Sequence, residues 1–118
     1  MKIVKIMPEY GTGMLWQKKS KEDAFSYITP QDLKLGHVLI TKLKDWDVLY
    51  QGTFNENYPP DSGFANKNER KKFEEKGLEL WQDLIIELPS TIKVIYYSVI
   101  EEHLFEDIKE LQNKILDL

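Results

Sequence analysis

The two histidines, His37 and His103, are the side chains best suited to acid–base or metal chemistry in this chain. A nucleophile–histidine–acid triad needs one of them beside a serine and a carboxylate, and no Gly-x-Ser-x-Gly motif marks a nucleophile. His103 and Asp107 stand four residues apart, so a helix would place both on one face as two metal ligands. No second histidine-bearing motif completes such a site. We therefore interpret this segment as the solvated acidic start of a helix, which the helix dipole favours.

Neighbouring carboxylates occur at positions 74–75, 101–102 and 106–107. General acid–base catalysis needs a carboxyl group that is desolvated and has a shifted pKa. The hydrophobic periodicity instead places all three pairs on polar helix faces, where acidic residues aid solubility. The chain also lacks a Walker loop, a Gly-x-Gly-x-x-Gly motif and any cysteine, which excludes thiolate chemistry, disulfides and cysteine-bound zinc. The sequence therefore predicts no catalytic, cofactor-binding or metal-binding residue, and no cofactor.

The charge of the chain argues against nucleic acid as a partner. The net charge is −4, from 20 acidic and 16 basic residues, and Arg70 is the only arginine. Arginine is the side chain that grips phosphates and reads guanine with paired hydrogen bonds. The lysines at 18–21 and 67–72 fit a loop tip and a solvated first helical turn. A mildly acidic surface favours basic protein partners.

The length of 118 residues is that of one domain, and we expect a single domain over 1–118. The composition, 42% hydrophobic and 31% charged, is typical of a soluble globular protein. The N-terminal residues lack the apolar stretch of a signal peptide, and no apolar run approaches the roughly 20 residues of a membrane span. We expect a cytoplasmic protein that does not contact a membrane.

Hydrophobic periodicity predicts three helices, at about 35–51, 67–88 and 98–118. A separate turn that begins at Thr29 and Pro30 precedes the first helix, and Gly36 divides the two.

Local features specify the later helices. Asn66 with Glu69, and Ser98 with Glu101, have the spacing of capping boxes, in which two side chains satisfy the free N–H groups of a helix start. Gly77 lies on the apolar stripe of the second helix. Because glycine costs about 1 kcal/mol relative to alanine inside a helix, its place there predicts a close approach by a neighbouring element.

Residues 2–7 and 91–97 are rich in β-branched and aromatic side chains and predict two strands. The second is apolar on both faces, which predicts a strand covered on two sides. Residues 14–28 fit a hairpin or a packed loop.

The predicted order is strand, hairpin, helix, helix, strand, helix. This order favours an α/β fold, with α+β as the alternative, in which three helices pack a sheet of two to four strands with at least one parallel pair. Because a two-stranded sheet would be thin for three helices, either residues 14–28 contribute strands or a partner chain completes the sheet.

The loop between the first two helices is the best candidate for a recognition site, because Pro59 and Pro60 restrict its backbone and rigid loops often carry recognition. The candidate partner-binding residues are Asn55, Asn57, Tyr58, Asp61, Ser62, Phe64 and, outside the loop, Trp16. Tryptophan often anchors protein interfaces. In the alternative interpretation, the polar loop residues only close the turn between the helices, and Trp16 packs onto its own domain.

Part of the chain has a familiar pattern of residues. The pattern is Trp46-x-x-x-Tyr50-x-x-Thr53-x-Asn55, Pro60-x-Ser62-Gly63-Phe64 and Glu69-x-x-x-Phe73-x-x-x-Gly77-x-x-Leu80-Trp81. Over residues 46–81 it resembles small bacterial proteins of unassigned function. In size and acidity the chain is similar to immunity proteins of contact-dependent inhibition and other polymorphic toxin systems. That likeness implies a cytoplasmic, non-enzymatic protein that binds and blocks a toxin domain, and it assigns no catalytic residues.

The leading hypothesis is therefore a bacterial protein-binding domain, an immunity-type inhibitor of a toxin. A second hypothesis is a small enzyme or ligand-binding protein that uses the 55–64 loop with His37 or His103. A third is a homo-oligomeric structural protein that associates through its last helix or an open sheet edge.

Overall fold

The first strands, β1 (Lys2–Glu9) and β2 (Gly13–Lys18), form an antiparallel hairpin in a computed structural model that describes residues 2–118. Gly11, in the turn between them, has a φ of 78°, in the left-handed region that favours glycine. A third strand, β3 (Ser26–Ile28), pairs antiparallel with β2. Of the two interpretations of residues 14–28, a hairpin or a packed loop, the hairpin is correct, and the chain itself supplies these strands.

Three α-helices lie in the described part of the chain: α1 (His37–Gln51), α2 (Lys67–Glu87) and α3 (Ile108–Leu116). A separate 3-10 turn, Pro30–Leu33, precedes α1, as predicted. Asn66 caps α2 by accepting a hydrogen bond from the Glu69 N–H at 2.9 Å, which confirms that helix start. Of the helices in residues 2–118, none combines the length and apolar composition that crossing a bilayer requires.

The remaining strands complete one mixed sheet. β4 (Ile92–Ser98) runs parallel to β1, and β5 (His103–Phe105) pairs antiparallel with β4. Over residues 2–118 the sheet has five strands in the order β3-β2-β1-β4-β5, so β1 and β4 form its one parallel pair. The predicted fold class is confirmed in its α+β form. The sheet exceeds the expected two to four strands because β5 comes from residues expected to be helical.

The hydrophobic core lies between one face of the sheet and the three helices. Val4 on β1, Val94 on β4 and the large aromatic Tyr96 face the helices and are buried. Trp46 of α1 and Trp81 of α2 are fully buried against them, and each indole N–H donates to a backbone carbonyl at 3.0 Å. Both tryptophans therefore lie in the core, and their polar atoms are satisfied inside it.

Gly77 lets α2 approach the sheet closely, as its position predicted. A Cβ atom at this position would lie 2.2 Å from the Tyr96 hydroxyl and 2.9 Å from Cζ2 of Trp46. Both distances are shorter than any tolerable contact, so no larger residue fits without movement of an aromatic ring. The packing of two large aromatic side chains against Gly77 offsets the lower helix propensity of an internal glycine.

The start of the last helix was predicted wrongly. The Ser98 hydroxyl does accept a hydrogen bond from the Glu101 N–H at 2.9 Å, but this bond closes a turn that leads into β5. The helix begins later, at Ile108, with Asp107 as its cap. The same local hydrogen bond serves a turn as well as a helix start, and here pairing with β4 satisfies the backbone of residues 103–105.

The expectation that the strand at 91–97 is covered by elements on two sides is also wrong. All three helices pack on the side of Val94 and Tyr96. On the opposite side, Ile95 is buried and Tyr97 is half-buried, although no helix of the described chain lies there.

Candidate functional site

The loop between α1 and α2, residues 52–66, is held by its own polar side chains. Asn55 Oδ1 accepts hydrogen bonds from the N–H groups of Asn57 and Tyr58, each at 3.0 Å. The Ser62 hydroxyl accepts from the Asn55 N–H at 2.8 Å. The side-chain oxygens of Asn55 and Ser62, two of the predicted partner-binding residues, are therefore hydrogen-bonded within the loop itself. This is the alternative considered from the sequence, that polar residues close the turn.

The loop is also anchored to the rest of the domain at both ends. The hydroxyls of Tyr10 and Thr53 are 2.6 Å apart, and the Tyr10 ring stacks on Tyr50 with centroids 4.4 Å apart. Burial raises the pKa of Tyr50 to about 12, so its hydroxyl stays neutral. At the other end Phe64 packs on Phe73 of α2, with ring centroids 4.7 Å apart. The loop is therefore attached to both the β1–β2 turn and α2.

Apolar side chains nevertheless face outwards beside this loop. Tyr58 is 57% exposed, and Val48, on the last turns of α1, is 61% exposed. Leu49 and Phe54 are also exposed, and a groove of about 450 Å³ between α1 and α2 runs past Leu49 to Phe64. We call these five residues, Val48, Leu49, Phe54, Tyr58 and Phe64, the loop surface. Exposed apolar side chains beside a groove are typical of an interaction site.

Trp16 lies elsewhere, on the face of the sheet that the helices leave uncovered. Its neighbour Leu15 points into the core, so Trp16 points to the opposite side. Its indole N–H donates to the Met7 carbonyl at 2.9 Å, and its ring meets Tyr27 edge-on with centroids 5.8 Å apart. The structure therefore divides the predicted partner-binding residues between two sides of the molecule.

The two histidines do not form a site together. His37 is exposed at the first turn of α1. His103 lies in β5, where its ring contacts Phe105, and Asp107 caps α3. The prediction that His103 and Asp107 share one helix face is therefore wrong, because β5 and a short connection lie between the His103 position and α3. Within residues 2–118 no three side chains of the metal-binding types cluster around a common point.

Glu74 is the side chain whose environment was predicted least correctly from the sequence. We expected it on a polar helix face, but it is fully buried between α2 and β4. Its carboxylate accepts hydrogen bonds from the hydroxyls of Tyr96 and Ser98. Burial raises its pKa, and the charge of Glu101 acts in the same direction, while the two hydroxyls oppose the shift.

A signal for the burial of Glu74 was present in the sequence. It stands three residues before Gly77 and seven before Trp81, and therefore lies on the apolar stripe of α2. A buried carboxyl group with a raised pKa is a feature of some active sites. Here the residue has no exposed surface through which a substrate could reach it. The arrangement therefore supports the packing of α2 on β4.

The architecture defines a class of protein, an α+β domain with exposed apolar side chains on its surface. The one desolvated carboxylate in the described chain, that of Glu74, is buried in the core. The model of the family described as Serratia CdiI immunity protein-like matches residues 2–99. The chain therefore belongs to the Serratia CdiI immunity protein-like family, which confirms the resemblance to immunity proteins of polymorphic toxin systems. A comparison with curated proteins finds no match. The matched residues include the first four strands, α1, α2 and the loop between these helices.

Proposed function

We propose that this protein is a cytoplasmic immunity protein that binds a toxin domain and blocks its activity, and that it is not an enzyme. The observation that carries the proposal is the family match over residues 2–99. The family description names immunity proteins, and inhibition by binding needs a surface rather than a reactive centre.

The placement of the reactive side chains supports a binding role. His37 and His103 lie on α1 and β5 and share no cavity, and Glu74 has no exposed surface. His103 does line a surface depression of about 470 Å³, together with Glu101 and Glu110. General acid–base catalysis needs groups within hydrogen-bonding reach of one bound substrate, which two separated imidazoles do not provide.

The loop surface is one proposed contact with the toxin. Asn55 and Ser62 hold the loop in one conformation, so little conformational entropy is lost when Tyr58 and Phe54 are buried by a partner. Tyrosine is among the residues that contribute most to protein interfaces. Asn57 and Asp61 flank Tyr58 and provide polar groups at the edge of this contact. Phe64 lines the groove beside this contact.

The test uses the cognate toxin domain, whose gene we expect directly upstream of the gene for this chain. We expect the two purified proteins to co-elute on gel filtration and the chain to protect cells that express the toxin domain. Tyr58→Ala and Val48→Asp should weaken binding, whereas Glu75→Ala, an exposed position elsewhere on α2, should not. Absence of a complex with the wild-type chain, together with absence of protection, would overturn the proposal.

The two other hypotheses make different predictions in the same experiment. If the chain were an enzyme or a small-molecule-binding protein, alanine at both His37 and His103 would abolish protection without affecting complex formation. If it were a structural homo-oligomer, sedimentation at micromolar concentration would show assemblies in the absence of the toxin.

A further inference from the structure

The uncovered side of the sheet carries a mixed group of aromatic, aliphatic and basic side chains. Strand pairing brings them together: Lys5 pairs with Trp16, Trp16 with Tyr27, and Tyr97 with Leu104. Each of them alternates with residues that face the helices, so all of them point to the opposite side. We call the residues Lys5, Trp16, Lys18, Tyr27, Tyr97 and Leu104 the open sheet face. Tyr27 is 45% and Leu104 42% exposed, so the surface is accessible.

Two lysines on this face contact the same aromatic ring. The Nζ atom of Lys5 lies 4.1 Å from the ring centroid of Phe25, and that of Lys18 lies 4.7 Å from it. Ion pairs within residues 2–118 include neither of these two lysines. The ring attracts both ammonium groups, but it brings two like charges together without a carboxylate between them.

The electrostatics of Lys5 reflect this arrangement. Burial lowers its pKa, and the charge of Lys18 lowers it further, while Glu9 acts in the opposite direction. Elsewhere on this face, Lys93 is already paired with Glu106, with 2.6 Å between Nζ and Oε1. Lys5 and Lys18 are therefore a local basic site on a chain of net charge −4. An anionic group placed between them would relieve their repulsion.

We propose that the open sheet face docks an acidic segment of the partner toxin domain, with one carboxylate between Lys5 and Lys18 and apolar side chains against Trp16, Tyr97 and Leu104. This inference rests on the proposed function and adds the location and chemistry of a contact. The positive charges of Lys5 and Lys18 favour an acidic group in the partner segment. The exposed aromatic and aliphatic side chains favour a protein segment that also carries apolar residues.

A polynucleotide would also present anions to lysines and stacking surfaces to aromatics. Three features favour the protein segment. The chain has a net negative charge, arginine occurs only at position 70, and of the lysines named on this face Lys93 is already paired with a carboxylate. A phosphate backbone would need a longer row of cations.

The experiment measures the Kd for the toxin domain with two charge variants. Lys18→Glu should weaken binding by about tenfold or more, because attraction becomes repulsion, and Lys18→Gln should have a smaller effect. Lys109→Glu makes the same charge change on α3, on the helical side of the molecule, and should leave the Kd unchanged. Binding of the wild type should weaken with added salt, and binding of Lys18→Gln should weaken less.

The outcomes separate this inference from the proposed function. If the wild type binds and protects, and Lys18→Glu binds as tightly as Lys109→Glu, the inference is wrong and the function stands. If the wild type neither binds nor protects, both are overturned. If the wild type binds a labelled single-stranded RNA and Lys18→Glu does not, the face is a nucleic-acid site and the inference is wrong. Matched circular dichroism spectra of the variants show that folding is intact.

Discussion

The carboxylate of Glu74 and the phenol of Tyr96 are hydrogen-bonded at 2.5 Å in a place where neither side chain has any solvent exposure. Glu74 belongs to α2 and Tyr96 to β4, and Gly77, one turn along the helix, leaves the space into which the phenol extends. The hydroxyl of Ser98 is the second donor to the same carboxylate. This polar contact therefore connects the longest helix to the parallel strand pair.

Removing the carboxylate should be strongly destabilising. Glu74→Ala leaves the Tyr96 and Ser98 hydroxyls without their partner and creates a cavity, and we expect a loss of about 3 kcal/mol in the free energy of unfolding. Glu75→Ala, the same change at an exposed neighbouring position, should change it by less than about 0.5 kcal/mol. Urea unfolding of both variants measures the difference. Equal effects of the two substitutions would contradict the structure.

The ionisation of Glu74 should affect stability in a direction opposite to that of most carboxylates. Because its pKa is raised in the folded state by burial, the folded protein binds this proton more readily than the unfolded chain. As the pH falls from 7 through the raised pKa, the wild type should gain stability relative to Glu74→Gln. The gain is complete below the ordinary pKa of 4.5 that the Glu74 carboxyl has in the unfolded chain.

Unfolding free energies of the wild type and Glu74→Gln at several pH values between 7 and 4.5 provide the measurement. Their difference removes the contributions of other acids, while Tyr96, Ser98 and Glu101 remain around the site in both proteins. A difference that does not vary with pH would show that Glu74 titrates normally.

Gly77→Ala should destabilise the protein although alanine is the better helix former. The propensity gain is about 1 kcal/mol, but the new methyl group would overlap the Tyr96 hydroxyl, and overpacking of this kind costs about 1–3 kcal/mol or more. We expect a net loss of up to about 2 kcal/mol by urea unfolding, because the overlap with the hydroxyl places the cost at the upper end of that range. In the background of Tyr96→Phe, which lacks the hydroxyl, the same substitution should cost less. Strict additivity of the two substitutions would argue against the contact.

The cap of α2 should contribute measurably to stability. Asn66→Ala removes the acceptor of the Glu69 N–H and should cost about 1 kcal/mol. Asn68→Ala makes the same chemical change two residues later, at an exposed position inside the helix, and should be neutral or slightly stabilising. Thermal unfolding distinguishes the two. A destabilised Asn68→Ala with an unaffected Asn66→Ala would place the helix start elsewhere.

The loop between α1 and α2 should become locally mobile when Asn55 is changed. Asn55→Ala removes the acceptor of the Asn57 and Tyr58 N–H groups, so hydrogen exchange of these two amides should accelerate. The Asn57 side chain makes no such bond to the backbone of the described loop, and Asn57→Ala serves as the control. Unchanged exchange in Asn55→Ala would show that other contacts hold the loop.

Several features of this fold could be predicted because their causes lie within a few residues. The Asn66 cap depends on an N–H group three positions away. The turn at Thr29 and Pro30 depends on the preset backbone of proline. Gly77 was informative for a different reason, since a costly residue on an apolar stripe implies a neighbour that requires it.

Other features depend on residues that are far apart in the chain. Ser98 and Glu101 have the spacing of a helix start, yet residues 103–105 pair with the edge of β4 and become a strand of the sheet. The open sheet face exists because the crossover places every helix on the same side, and no local pattern states on which side a helix will pack. The sequence indicated the loop residues and Trp16 as candidate partner-binding residues. That they lie on two different surfaces depends on the order of the strands in the sheet.

The amino-acid pattern alone was thus sufficient for the start of α2, the turn before α1, the main strands, the need for a close contact at Gly77 and the resemblance to immunity proteins. Glu74 shows what needed the folded chain. Its hydroxyl partners are 22 and 24 residues away, and they are brought together only when α2 packs across β4. Burial and charge are properties of that packed arrangement, because they depend on which distant groups exclude water from a side chain and which donate to it.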